Sequence, residues 1–231
     1  MSKVAFYIDG FNFYFGIKRM FESSDGAKWG CAYWIDIVKF CESFLSEGQE
    51  LVKVVYFTAS PLKEDKSVRQ GAFLNANKAI NGDRFEVVRG EYLVNEIQCP
   101  YCRKRFPKPE EKKTDVNISV RMIGDCVQNK VDTVALISAD TDLIPPLEFI
   151  NENFPDVKMK IYFPPSNASR GIKDFAFGKN NVKVKELANN IDRFYRSKMP
   201  DTVATFTIPD EWRRRHAGAE AFFNKPKKNL K

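Results

Sequence analysis

Val4-Ala5-Phe6-Tyr7-Ile8-Asp9, followed at once by Gly10-Phe11-Asn12, sets how the rest of the chain reads. Five apolar or aromatic residues with no polar alternation mark a strand buried on both faces, as in a parallel sheet. The run ends on an acid and a turn glycine. A second run, Val134-Ala135-Leu136-Ile137-Ser138-Ala139-Asp140, ends the same way and leads into Thr141-Asp142. Further apolar or β-branched runs fall at residues 51 to 58, 84 to 89 and 157 to 163. Between the strand runs lie segments with helical spacing, Tyr33 to Leu45, Lys66 to Ile80, Asp115 to Asn129 and Leu143 to Asn151. Alternating strands and helices imply right-handed crossovers and a mainly parallel α/β sheet covered on both faces. In such sheets, sites form beyond the carboxyl ends of the strands, which is where Asp9 and Asp140 fall.

The segment after Lys112-Lys113-Thr114-Asp115 is expected to be a helix, with Val116, Val120, Ile123 and Val127 on its buried face and Thr114 as N-cap. Asp115 then lies in the first turn, pointing toward the strand edge. Three carboxylates gathered there need a cation, because neighbouring anions otherwise repel one another and take up protons. Hard oxygen ligands select Mg²⁺ or Mn²⁺ over zinc, and the chemistry to expect is metal-assisted hydrolysis of a phosphodiester. Each aspartate has a plainer reading as a turn or capping residue. Their coincidence at strand ends and a helix start favours the shared site.

Other routes find little support in the sequence. The lone histidine, His216, lies beside Arg213, Arg214 and Arg215 in a segment read as tail, which argues against histidine-based catalysis. The chain carries neither a Walker loop nor a GxGxxG motif. At 231 residues and 43% apolar content it is large enough for one domain with additions. It lacks an 18-residue apolar run and a leader-like start, so a cytoplasmic protein with no membrane partner is expected. Five cysteines, an odd number without scaffold spacing, fit a reducing compartment.

The charge of +7 is unevenly placed. Residues 98 to 113 carry +4 and residues 211 to 231 carry +5, leaving the remainder at −2. Two basic segments on a nearly neutral body point to nucleic acid. The first holds Cys99-Pro100-Tyr101-Cys102, read as an inserted loop or knuckle at about 95–113. Cys99 and Cys102 have the spacing of half a zinc site, and Cys31, Cys41, Cys126 and Glu91 are candidate further ligands. Arg103, Lys104, Arg105, Lys112 and Lys113 would line the approach of an anionic strand, with Tyr101 and Phe106 available to stack on unpaired bases. Phe11-Asn12-Phe13-Tyr14-Phe15 reads as core packing, with alternate residues facing inward.

Taken in order, Tyr7-Ile8-Asp9-Gly10-Phe11-Asn12, Glu111-Lys112-Lys113-Thr114-Asp115-Val116-Asn117 and Ser138-Ala139-Asp140-Thr141-Asp142-Leu143 resemble the NYN domain, specifically the LabA-like branch of the PIN-like nuclease superfamily. Tyr162-Phe163-Pro164-Pro165 is similar to it as well, and the resemblance runs from residue 3 to about 195. It implies a PIN-like three-layer α/β/α sandwich, placed over residues 1–198; the strand and helix alternation stops after about residue 195, and residues 199–231 read as a basic C-terminal tail. It also implies a metal-dependent ribonuclease site in which Asp9, Asp115, Asp140 and Asp142 hold Mg²⁺ or Mn²⁺ and Asn12 orients a phosphate or water. Many relatives carry a further acid six positions after the one matching Asp115. Here that position is Arg121, counted among the nucleic-acid-binding residues, with Asp125 one turn further on as partial compensation. The expected function is a metal-dependent endoribonuclease acting on single-stranded RNA. An RNA-binding or assembly module with little or no turnover is the alternative, and a small-phosphate hydrolase a third reading. Oligomeric state is left open.

Overall fold

A computed structural model describes residues 1–224. Its centre is a parallel sheet built from β1 (Ser2–Asp9), β2 (Gln49–Thr58), β3 (Phe85–Arg89), then β6 (Thr133–Ile137), β7 (Lys158–Phe163) and β8 (Val182–Glu186), in the order β3-β2-β1-β6-β7-β8. Strands β4 (Glu91–Gln98) and β5 (Arg105–Lys112) stand apart as an antiparallel hairpin. The helices are α1 (Gly10–Phe21), α2 (Ile37–Glu42), α3 (Glu64–Asn81), α4 (Thr114–Val127), α5 (Ile144–Asn153), α6 (Arg170–Ala176), α7 (Ile191–Arg196) and α8 (Asp210–Phe223). The chain steps outward from β1 through β2 to β3, then returns to place β6 on the other side of β1. The two crossover directions diverge between β1 and β6, which leaves a crevice at their carboxyl ends.

Buried continuity explains why β1 is central. Val4, Phe6 and Ile8 pack into one core with α1, α2 and α3, while Ala5 and Tyr7 pack into a second with α4, α5 and α6. Alternate side chains of one strand thus serve both layers of an α/β/α sandwich. No helix among the described residues is long and apolar enough to cross a membrane.

Helix α4 turns a different face inward from the one expected. Val116, Val120 and Val127 are exposed, whereas Ile118, Met122 and Cys126 are buried. Both sets form a stripe at helical spacing. Asp115 decides between them, since Ile118, Met122 and Cys126 follow it at intervals of three, four and four and so share its side of the helix. Thr114 is not the N-cap either. That position is Lys113, whose positive φ of 77° swings the chain out of β5, while the Thr114 hydroxyl donates to Glu111.

Two segments read as irregular are regular. Residues 91–112 form the β4–β5 hairpin, with Cys99 to Lys104 as its tip. Residues 210–223, expected as extended tail, form α8 and bury Trp212, His216 and Ala219 against Gly26–Tyr33. Trp212 lies 5.7 Å from the ring of Tyr33 and 6.2 Å from that of Phe73, and Phe223 stacks on Tyr195 at 4.0 Å. Backbones meet at Gly30, where an added Cβ would lie 2.1 Å from the carbonyl oxygen of Arg215. The remaining tail lysines, from Lys225 on, lie outside the described residues.

Candidate metal centre at the β1–β6 crevice

Asp9 ends β1 and caps α1, its Oδ1 accepting the Asn12 amide at 3.0 Å. Its Oδ2 accepts from the Asn12 side-chain amide and from the Ser138 hydroxyl, the latter at 2.9 Å. Gly10 is required beside it, because a Cβ there would lie 2.6 Å from the carbonyl oxygen of Phe57 on β2. Phe11 to Phe15 lie in the first turns of α1 rather than in a strand. Phe13 turns inward while Phe15 is exposed.

Asp140 follows β6 and caps the short turn Thr141–Leu143, its Oδ1 accepting the Asp142 amide at 3.0 Å. Ser138 bridges the two acids, donating to Asp9 and accepting the Asp140 amide at 3.1 Å. The capping and site readings of these aspartates are both true, since each cap aims a carboxylate over the strand ends.

Asp9, Asp115 and Asp140 offer oxygens that all lie within 4.8 Å of one another. Burial pushes Asp9 above the usual carboxylate range against the pull of its three hydrogen bonds. Asp115 is pushed up to about 6 by burial and by the charges of Asp140, Asp9, Glu111 and Asp142. The charges acting on Asp115 are thus those of four other acids. Three hard oxygen donors converging in this way, two of them with raised proton affinity, fit a divalent cation such as Mg²⁺ or Mn²⁺. Asp142 remains exposed at the rim, outside the triad.

Sequence reasoning missed two supports. Ser138 lies within a recognised motif, and its position two residues before Asp140 was the available signal. Asn167, in the loop after β7, donates to Asn12 Oδ1 at 2.9 Å and steadies the residue that holds Asp9. Nothing in the sequence links residues 155 positions apart.

The basic residues divide. Lys112 pairs with Glu110, Lys113 with Glu91 and Arg105 with Glu96. Arg121, expected at a nucleic-acid surface, is committed to Glu86 and Asp125. Asp125 is buried and does not compensate at the triad, since ten residues of helix put it about 15 Å along the axis from Asp115. Arg103 and Lys104 sit at the hairpin tip, in no ion pair among the described residues.

The family model of the NYN domain matches residues 3–177. The chain belongs to the NYN domain family. NYN domains are part of the PIN-like nuclease superfamily, and the six-stranded parallel sheet between two helical layers is the fold expected of one. A curated relative, 6-hydroxy-3-succinoylpyridine 3-monooxygenase HspA of Pseudomonas putida (strain DSM 28022 / S16), is 26% identical over 225 residues, covering 80% of this NYN protein and 69% of the relative. A protein of unknown function from Vibrio parahaemolyticus RIMD 2210633 has a solved structure that superposes with a TM-score of 0.51 at 21% identity. It covers 79% of this chain and 92% of its own, and shows the fold alone.

Proposed function

We propose that this NYN protein is a metal-dependent endoribonuclease acting on single-stranded RNA. The observation that carries the reading is the triad, whose oxygens converge within 4.8 Å at the divergence of the crossovers and repel one another without a cation. A divalent ion bound there would supply an acidified water and offset charge developing on a phosphodiester. Asp9, Asp115 and Asp140 would hold it. Asn12 and Ser138 fix the carboxylate of Asp9, and Asp142 would orient water at the rim. Arg103 and Lys104 would draw in the strand electrostatically, with Tyr101 and Phe106 offering stacking faces.

A second reading, RNA binding with little turnover, is favoured by Arg121, which stands where many relatives carry another acid and leaves three converging carboxylates. The test is cleavage of a labelled single-stranded RNA with Mn²⁺ or Mg²⁺, comparing wild type with Asp140→Asn. Cleavage by wild type alone supports the nuclease. Binding by both without cleavage supports the second reading. Hydrolysed RNA as product also separates this activity from the pyridine oxygenation named for the Pseudomonas relative.

A further inference from the structure

The β4–β5 hairpin ends in half of a metal site. Cys99 and Cys102 flank a tight turn in which the Arg103 amide donates to the Cys99 carbonyl at 2.9 Å and the Cys99 amide donates to the Lys104 carbonyl at 2.9 Å. Arg103, directly after the second cysteine, adopts a positive φ of 58°. The neighbouring amides of Cys102 and Tyr101 and the Cys102 thiol lower the Cys99 thiol from its ordinary value. Two cysteines three positions apart in a turn closed by these backbone hydrogen bonds make a knuckle suited to two thiolate bonds with one soft cation.

Among the described residues no further ligand joins it. Cys31, Cys41 and Cys126, the expected third ligands, are buried in the two cores. Glu91 sits at the base of the arm, paired with Lys113, the full length of β4 away from the tip. Among the described residues the one cluster of three or more ligating groups is the aspartate triad. Zinc held by thiolates takes four ligands in a tetrahedron, so two are missing.

The arm meets the body at its base, where Tyr92 lies 6.1 Å from the ring of Phe11. A two-stranded hairpin is marginally stable alone, yet this one exposes Leu93, Val94, Phe106 and Tyr101. We infer that two copies of the chain join tip to tip through one zinc ion, each giving Cys99 and Cys102. Four thiolates and one Zn²⁺ carry a charge of −2, which Arg103 and Lys104 of each copy offset. This inference goes beyond the nuclease reading, because its ligands, Cys99 and Cys102, take no part in the aspartate triad.

The test uses the full chain, purified under reducing conditions, with zinc measured by elemental analysis and mass by light scattering. The expected result is one zinc per two chains and a dimer that a chelator splits into monomers. Cys102→Ser should lose both zinc and dimer while keeping the wild-type circular dichroism, since the tip lies outside both cores. Cobalt in place of zinc should show the absorption of a tetrahedral four-thiolate site. One metal per monomer, a dimer that survives chelation or Cys102→Ser, no zinc bound, or zinc lost in Asp140→Asn but kept in Cys102→Ser would each overturn the proposal.

Discussion

Arg121 and Asp125 lock one another across a turn of α4, with Nε of the arginine 2.8 Å from Oδ2 of the aspartate. The same oxygen accepts the Tyr7 hydroxyl at 2.9 Å, and the other two guanidinium nitrogens donate to Glu86 on β3 at 2.8 and 3.1 Å. Arg121 is therefore a strut tying α4 to β1 and β3. Arg121→Ala leaves Asp125 buried with one donor and should cost about 2–3 kcal/mol, somewhat below a fully buried pair because the arginine is partly exposed. Urea denaturation measures this. RNA affinity measured well below the unfolding transition should keep its salt dependence.

The opposite split is expected at the hairpin tip. Replacing Arg103 and Lys104 together by alanine should leave the urea midpoint unchanged. The slope of log affinity for single-stranded RNA against log salt should shrink by roughly 1.4, about 0.7 for each phosphate that is no longer neutralised. A titration across salt concentrations decides it, and an unchanged slope would remove the tip from the RNA path.

Metal binding should weaken in acid. Asp115 titrates at about 6 in the metal-free fold, so below that pH a proton competes with the cation for its oxygen. Mn²⁺ affinity, read by calorimetry, should fall as pH drops through 6, by up to about tenfold per unit. Asp140→Asn removes the largest charge acting on Asp115 and should return its titration toward the ordinary range. The same variant should weaken Mn²⁺ binding at neutral pH.

His216 gives a stability effect of opposite sign to that of Asp115. Burial, aided by Lys198, lowers it from 6.5 to about 4. Between those values the unfolded chain binds a proton that the folded chain refuses, so stability present above pH 6.5 is lost as pH falls toward 4. The full loss is about 3 kcal/mol. Asp115, raised in the metal-free fold, gains stability over much of the same window and masks part of the slope. In an Asp115→Asn background, urea midpoints between pH 7 and 4.5 should fall steeply, and His216→Gln should flatten the fall.

Strands were the most legible part of the chain, because β1 and β6 are buried on both faces and advertise it in unbroken apolar runs. The acids were legible for a related reason, since each stands where such a run stops or a helix starts. Helix faces were not. Val116, Val120 and Val127 make as good a stripe as Ile118, Met122 and Cys126, and the geometry of Asp115 settles which faces inward. The last helix was hidden because Trp212, His216 and Ala219 supply its buried contacts amid arginines that dominate the composition. Asn167 left no trace, since its role arises from where a loop happens to pass.

The packing of α8 on Gly26–Tyr33 also orders events during synthesis. Trp29, Tyr33 and Trp34 belong to the first core, yet the helix that closes over Gly30 is encoded some 180 residues later. Until residues 210–223 have left the ribosome, the nascent chain carries an open aromatic face that cannot be sealed from within. A product truncated before α8 would therefore expose this aromatic face and be prone to aggregate.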